Sequence, residues 1–425
     1  MRIRSNRVLL GDKIRPATLT IEGSQIAAIE EDATADVDYG ELVIMPGLVD
    51  SHVHVNEPGR TEWEGFATAT AAAVAGGITT IIDMPLNSLP PTTTLAALET
   101  KQRVAKGAAN IALWGGVVPG NTKELQPMLD AGARGFKCFL VHSGVDEFPN
   151  VNERELYEAA RELAPTGAPL LVHAELQEHL HDAHGDPAEY ATYLQSRPNA
   201  AEDAAIELLL RVGRDTGARI HVVHLSSASA LALLRIARNE RLPLTAETTP
   251  HYLHFDAESV PRGRTEFKCA PPIREQANRE ALWNGLREGL IELVVSDHSP
   301  CTPELKKGDF ASGWGGIASL QFVLPIVWTN AHARGFELHD LARWCSRAPA
   351  RLARLERKGE LAVGNDADLT IWSPEETFVV TPGLIRHRHK VTPYLGSELR
   401  GVVKETWVGG AIAHVANTGN DSHLE

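Results

Sequence analysis

Cysteine is scarce in this sequence, and no two cysteines stand close together. Only four occur in 425 residues. They are Cys138, Cys269, Cys301 and Cys345. A disulfide framework or a thiolate zinc site requires cysteines at short, paired spacings. Both are therefore disfavoured, and we expect the four thiols to be small buried side chains.

Long apolar runs and an excess of positive charge are absent as well. No stretch approaches the roughly 20 residues of a membrane-spanning helix, and residues 1–15 contain no apolar segment typical of a signal peptide. The formal net charge is -14 and the pI about 5.7, whereas nucleic acids and anionic membranes attract clustered cations. We therefore expect a cytoplasmic protein with a small-molecule partner, and neither nucleic acid nor membrane as a partner.

The middle of the chain alternates short apolar segments with helical ones. Strands are predicted at 79–84, 111–118, 135–140, 169–173, 220–224 and 293–296. The clearest helices are predicted at 153–163, 201–216 and 228–239. This alternation predicts an α/β fold, a (β/α)₈ TIM barrel of about 250 residues with insertions. An open doubly wound sheet is the alternative, although the sequence has no glycine-rich dinucleotide turn.

The two ends of the chain have β character instead. Short β-like segments fill residues 2–45, and a hairpin is predicted near the other end, around Gly409 and Gly410. We expect residues 1–46 and 360–425 to form one small β-sandwich domain, and residues 47–359 to form the barrel. A polar tail is predicted at 417–425.

The segment from Pro46 to His54 ends in two histidines one residue apart. Because side chains alternate along a strand, His52 and His54 point to the same side and can bind one metal ion. A single pair of this kind also occurs by chance, with both rings in a core. The metal hypothesis therefore depends on further ligands.

Lys137 ends a predicted strand whose other side chains are mostly apolar. A lysine ammonium group is costly to bury without a partner. In one interpretation the stem of Lys137 is buried and its amine reaches solvent. In the other, a neutral amine takes up carbon dioxide and becomes a carbamate, an anion with two oxygens that can bridge two cations.

His173, His224 and Asp297 also follow predicted strands, and the reactive residues of a barrel lie at the carboxyl ends of its strands. His221 competes with His224, but it starts its strand, on the opposite face of the barrel. Asp297 is alternatively a cap of the next helix. Four imidazoles, one bridging anion and one carboxylate suit zinc or another borderline divalent ion. Two such ions activate a shared water, so the set predicts a hydrolase.

The sequence resembles the amidohydrolase superfamily, and specifically its cyclic-amide branch of dihydroorotases, hydantoinases and allantoinases. The resemblance rests on the segments 46–54, 135–137, 172–175 and 296–298. It implies two divalent metal ions per subunit, with zinc expected and manganese, iron or cobalt as alternatives. The ligands implied for one ion are His52, His54 and Asp297. Those implied for the other are His173 and His224, with a carboxylated Lys137 bridging the two ions.

Within this branch the segments 56–66, 83–88, 143–149 and 296–306 resemble allantoinases. The resemblance implies that a metal-bridging hydroxide opens the hydantoin ring of allantoin to give allantoate, with Asp297 as the catalytic proton carrier. It also implies a homo-oligomer, expected to be a tetramer. Dihydroorotases typically have an arginine where Asn56 stands, and an asparagine fits a neutral ureido substrate better.

Four substrate contacts are implied by the same resemblance, with ordinary loop structure as the alternative for each. They are Asn56, Asn87, Ala270 and Ser319. Two other functions stay open at this point. One is a hydantoinase-like, dihydropyrimidinase-like or dihydroorotase-like enzyme, and the other is a non-catalytic assembly protein built on the same fold. Such assembly proteins usually lack several metal ligands, whereas all six positions are filled here.

Overall fold

The computed structural model describes residues 1–31 and 33–416. The polar tail predicted at 417–425 lies outside the described residues. Within the described ranges, no helix combines the length and the apolar character that crossing a membrane requires.

The described residues form seventeen strands and twelve α-helices. The strands are β1 (Arg2–Leu10), β2 (Lys13–Glu22), β3 (Gln25–Glu30), β4 (Val37–Asp38), β5 (Val43–Pro46), β6 (Leu48–Val53), β7 (Ile78–Asp83), β8 (Asn110–Leu113), β9 (Gly115–Gly116), β10 (Phe136–Phe139), β11 (Leu170–His173), β12 (Ile220–Val222), β13 (Leu244–Thr248), β14 (Leu293–Val294), β15 (Leu369–Val379), β16 (Glu398–Val408) and β17 (Ala411–Val415). The helices are α1 (Phe66–Ala75), α2 (Leu95–Val104), α3 (Leu125–Asp130), α4 (Glu153–Leu163), α5 (Tyr190–Ser196), α6 (Asn199–Thr216), α7 (Leu231–Asn239), α8 (Pro250–His254), α9 (Gln276–Arg287), α10 (Val323–Ala333), α11 (Leu338–Ala342) and α12 (Ala348–Leu352).

Strands from both ends of the chain share one mixed sheet, in the order β17-β16-β15-β5-β1-β2-β3, with β4 beside β1. Leu19 on β2 and Trp407 on β16 belong to the same apolar core, although four strand steps separate them in this order. The sheet also folds over on itself, because Gly410 packs directly against Gly23 and Ile21 at the other end of the strand order, which agrees with the predicted β-sandwich. The antiparallel pairing of β16 with β17 confirms the hairpin around Gly409 and Gly410. The domain boundaries at 46 and 360 stay a prediction.

Parallel strands β6 to β14 form the barrel, as predicted. Strands β8 and β9 together occupy one strand position of the barrel, since β8 pairs with β7 and β9 pairs with β10. The barrel closes where the backbone N–H of His54 donates to the carbonyl of His298 at 2.8 Å, beside a parallel bridge between Val53 and His298. The predicted helix at 153–163 is also confirmed. Strand β13 was missed, because Thr245 and Glu247 interrupt its apolar pattern.

The alternation of side chains along β10 explains how a lysine enters the barrel. Phe136 and Cys138 face outward and pack in the same core as the helix α4 residue Leu156. Phe139 instead packs with Leu171 inside the barrel. Lys137 lies between the two outward residues in sequence, so it shares the inward face with Phe139. The strand therefore places its one charged side chain in the barrel interior.

A buried ion pair supports the first two strands at the rim where they end. The Lys101 amine on α2 donates to the Asp83 carboxylate at the end of β7, at 2.7 Å, and both side chains are at most 1% exposed. The second oxygen of Asp83 accepts from the backbone N–H of Val55 at 2.8 Å. The pair therefore holds the backbone one residue beyond His54.

Replacing Lys101 by methionine tests this support. The Lys101→Met substitution leaves the Asp83 carboxylate buried without its cation, which typically costs about 3–5 kcal/mol. We expect the free energy of unfolding, measured by urea titration, to fall by this amount. The matched control is Lys106→Met, because Lys106 is exposed in the loop after α2 and surface changes usually stay within about 0.5 kcal/mol. Equal stabilities of the two variants would contradict the assigned role.

Candidate metal centre

The structure brings all six predicted metal ligands to one end of the barrel. Each side chain is buried, and the exposed fractions run from 0% for His52 to 7% for Asp297. Five of the six line a cavity of about 540 Å³ that opens above the strand ends. These five are His54, Lys137, His173, His224 and Asp297. The sixth, His52, lies immediately beneath them.

The shortest separations in this group surround His52. Ligand atoms of His52, His224 and Asp297 all lie within 4.8 Å of one another. His52 Nε2 is 3.1 Å from Asp297 Oδ1, and His54 Nε2 is 3.7 Å from the same oxygen. Three nitrogens and a carboxylate at such distances can close on a cation with little movement.

Lys137 contacts this group directly. Its Nζ lies 2.9 Å from His52 Nε2, and the residue is 1% exposed. The alternative in which the amine reaches solvent therefore does not describe this lysine. Burial lowers the pKa of Lys137 to about 8, despite the opposing effect of Asp297. A substantial fraction of the amine is consequently neutral near physiological pH, the form that reacts with carbon dioxide.

His173 and His224 form the other half of the group. Their ring centroids are 4.6 Å apart in an edge-on arrangement, and the ring of His173 stacks on Phe139 at 4.8 Å. His173 Nε2 also lies 2.6 Å from the Glu175 carboxylate. The stacking and this hydrogen bond fix the orientation of the His173 ring.

Two of the six residues occupy strained backbone positions. His224 has φ 38° and Asp297 has φ 45°, in the left-handed region that residues other than glycine rarely adopt. Such positions cost on the order of 1–3 kcal/mol and concentrate at functional sites. His224 lies two residues after the end of β12 and Asp297 three residues after the end of β14, so the turn away from the strand redirects their side chains into the group.

The charge state of the histidines suits metal binding. Burial lowers the pKa of His54 and His173, and lowers the pKa of His52 and His224 well below the usual value. Neutral imidazole is the form that binds metals. Among the described residues, Nδ1 of His54 and Nδ1 of His224 have no hydrogen-bond partner. Buried nitrogens of this kind are costly to leave unpaired, so the donor set fits one or more divalent ions.

The four predicted substrate contacts divide into two groups. Asn87 and Ala270 line the cavity. Asn56 and Ser319 are not among its lining residues. Asn56 is 1% exposed, and its Nδ2 donates to the carbonyl of Pro300 at 3.3 Å. The Ser319 hydroxyl donates to the backbone carbonyl of Ser296 at 2.7 Å. These four contacts stay predictions.

Two buried carboxylates beside the ligands were missed by the sequence analysis. Glu175 lies two residues after His173, and Glu247 lies on the unrecognised strand β13. Both are 0% exposed. Glu175 had a detectable signal, since an acidic residue next to a predicted ligand is a frequent partner of metal-binding histidine. Glu247 had none without the register of β13.

A family model described as the amidohydrolase family matches residues 43–413. The chain belongs to the amidohydrolase family. An allantoinase of Streptomyces avermitilis is 51% identical over 418 residues, covering 96% of this chain and 94% of that protein. An allantoinase of Saccharomyces cerevisiae is 41% identical, covering 98% and 96% of the two chains.

Solved structures of the family have the same architecture. An L-hydantoinase (dihydropyrimidinase) from Arthrobacter aurescens superposes with a TM-score of 0.92 at 32% identity, covering 96% of this chain and 95% of that chain. A dihydropyrimidinase from Brevibacillus agri gives a TM-score of 0.88 at 26% identity, with coverages of 97% and 94%. The predicted TIM barrel with a β-sandwich domain is therefore confirmed, as is the predicted family.

Proposed function

We propose that this chain is a metal-dependent hydrolase of cyclic amides that opens the hydantoin ring of allantoin to give allantoate. The observation that carries the proposal is the group of six buried ligand side chains at the floor of one cavity. The substrate is proposed from the relatives, since the proteins from Streptomyces avermitilis and Saccharomyces cerevisiae are both named allantoinases.

The side chains proposed to hold one divalent ion are His52, His54 and Asp297. Those proposed for the second ion are His173 and His224, with Lys137 as the bridge in its carbamate form. When bound, two such ions lower the pKa of a shared water and polarise a carbonyl oxygen. Zinc is proposed as the metal, and manganese, iron or cobalt suit the same nitrogen and oxygen donors.

Asp297 is proposed to carry the proton. Its carboxylate lines the cavity beside His52 and His54, so it can reach both the attacking water and the ring that water attacks. The carboxylate accepts a proton as the water oxygen bonds to the ring carbonyl carbon. It then donates that proton to the ring nitrogen as the carbon–nitrogen bond breaks. One water is consumed, and the carboxylate returns to its initial state.

The cations along the cavity wall favour a neutral substrate. The lysine and arginine side chains that line the cavity are Lys137, Arg197 and Lys268. Arg197 is bound by both oxygens of Glu175, at 2.6 and 3.0 Å. The Lys268 amine donates to the Gly313 carbonyl at 2.7 Å. Arg197, the one arginine among the described residues that line the cavity, is therefore already neutralised by Glu175 and is not free to pair with a substrate carboxylate, whereas a ureido group needs only neutral hydrogen bonds.

A hydantoinase-like or dihydropyrimidinase-like activity is the second candidate. The observation in its favour is the TM-score of 0.92 with the Arthrobacter aurescens enzyme, which carries both names. A non-catalytic assembly role has no comparable support. The homo-oligomer, expected to be a tetramer, and the cytoplasmic location stay predictions.

The bridge is tested by substituting Lys137. Both Lys137→Ala and Lys137→Arg should lose bound metal and activity, because neither side chain can form an anionic carbamate and guanidinium stays charged. Short-chain carboxylic acids should restore part of the metal content and activity of the alanine variant only. Metal content is measured by elemental analysis of the same preparations that are assayed. A fully active arginine variant would show that Lys137 does not bridge.

The proton carrier is tested by Asp297→Asn, which keeps the shape of the side chain. General acid and base groups contribute about 10²- to 10⁴-fold, and the lost ligand charge adds to this. We expect kcat to fall by at least that factor, measured with metal at saturation and with metal content determined on the same sample. A variant within a few-fold of the parent would require another proton carrier.

The substrate is tested by assaying allantoin, hydantoin, dihydrouracil and dihydroorotate with one metal-loaded preparation. We expect kcat/KM for allantoin to exceed that for dihydroorotate at least about a thousandfold, which corresponds to about 4 kcal/mol of differential transition-state binding. Comparable rates on dihydroorotate would contradict the neutral-substrate argument. A preference for hydantoin or dihydrouracil would select the second candidate.

A further inference from the structure

Behind His52 the barrel interior contains a chain of polar side chains to which no role has been assigned. It consists of Thr245, His221 and Glu247, on the neighbouring strands β12 and β13. We propose that Glu247, supported by His221 and Thr245, is a positioning residue. It fixes which nitrogen of the His52 ring carries hydrogen, and it fixes the orientation of that ring for metal binding. This inference rests on the proposed metal centre and adds a second layer to it.

The distances define a continuous chain. Glu247 Oε1 lies 2.5 Å from His52 Nδ1, and Glu247 Oε2 lies 3.0 Å from His221 Nε2. His221 Nδ1 in turn lies 2.7 Å from the Thr245 hydroxyl. His52, His221 and Glu247 are all 0% exposed. Water therefore does not compete for the two hydrogen bonds of Glu247.

Counting donors and acceptors assigns the protons. A carboxylate accepts hydrogen bonds and offers none, so His52 Nδ1 and His221 Nε2 are the nitrogens that carry hydrogen. The remaining nitrogen of His221 then accepts from the Thr245 hydroxyl. The remaining nitrogen of His52, Nε2, keeps its lone pair. It is the atom that lies 2.9 Å from Lys137 Nζ and 3.1 Å from Asp297 Oδ1.

This assignment explains why His221 is not a ligand although it is a buried histidine close to the centre. Both of its nitrogens are already hydrogen-bonded, one to Glu247 and one to Thr245. Its ring supports the carboxylate that orients His52. The choice of His224 over His221 as the predicted ligand therefore has a structural reason beyond position along the strand.

Glu247 also contacts a second predicted ligand, His224. Its Oε1 lies 3.4 Å from the backbone N–H of His224, a residue in the left-handed region. One carboxylate thus contacts the ring of a ligand proposed for the first ion and the backbone of a ligand proposed for the second. Glu175 differs in two ways. Among the predicted ligands it contacts only the ring of His173, and its charge is neutralised by Arg197.

The decisive variant is Glu247→Gln. Glutamine has the same shape, but one of its two end groups is an amide NH₂, which must face a nitrogen that already carries hydrogen. Either His221 moves its proton to Nδ1 or loses its contact, or His52 moves its proton to Nε2 and loses the lone pair that binds metal. In the first two cases His52 Nδ1 still donates, but to a neutral amide oxygen in place of a carboxylate, which is a weaker acceptor. Partners of this kind typically change metal affinity about 10- to 100-fold, and we expect one of the two metal dissociation constants to rise by this factor.

The measurement is competition of zinc between the protein and a chromogenic chelator, combined with the thermal midpoint of the metal-free protein. The matched control is Glu405→Gln in the small domain, whose carboxylate accepts from the Tyr39 hydroxyl at 2.6 Å and from the Trp407 indole at 3.0 Å. We expect the control to bind both ions as the parent does. Unchanged metal affinity in a folded Glu247→Gln variant overturns the inference.

Two further outcomes separate the levels of the proposal. If the parent binds no metal, the proposed centre fails and this inference fails with it. If Glu247→Gln does not fold, Thr245→Val replaces it, because that change removes only the hydroxyl that His221 Nδ1 accepts from. A few-fold loss of affinity at one site supports the inference, and an affinity within twofold of the parent at both sites overturns it.

Discussion

The structure depends on the burial, at one end of the barrel, of the six side chains that are proposed to bind metal. Four imidazoles, an amine and a carboxylate have been almost completely removed from water, and the residues that carry them are at most 7% exposed. Burying polar groups without compensation is costly, and these groups do not fully satisfy one another, because two of their nitrogens, Nδ1 of His54 and Nδ1 of His224, lack partners among the described residues. The divalent ions of the proposed centre supply the missing partner. The strained backbone at His224 and Asp297 is a second cost of the same arrangement.

Buried ion pairs around the rim keep this arrangement in place. Besides the Lys101 and Asp83 pair, the Glu202 carboxylate binds Arg274 at 2.7 Å and accepts from the backbone N–H groups of Ser226 and Ser227 at 2.9 and 3.0 Å. These backbone groups lie just after His224. These two buried ion pairs thus support loops that contain predicted ligands.

The parts of the molecule that follow local periodicity could be predicted from the sequence. The barrel strands, the helix at 153–163 and the convergence of His52, Lys137 and Asp297 follow from apolar alternation and from the rule that barrel sites lie at strand ends. Strand β13 was missed because its inward residues, Thr245 and Glu247, are polar. Contacts between strands distant in sequence depend on register, so the carboxylate behind His52 was not detectable.

Placement of the loop residues was also beyond sequence reasoning. Asn56 and Ser319 follow the same resemblance as Asn87, yet their side chains bind backbone carbonyls within the loops. A resemblance transfers the identity of a residue but not the direction of its side chain, since Asn56 and Asn87 have nearly the same φ, 66° and 67°, and only Asn87 lines the cavity.

The most direct test of the binuclear centre is anomalous diffraction at the absorption edge of the metal, from crystals grown with zinc and bicarbonate. Two peaks are expected, one among His52, His54 and Asp297 and one beside His173 and His224, with carbamate density joining them at Lys137 Nζ. A single peak, or a bare Lys137 amine between two fully occupied ions, would contradict the proposed centre.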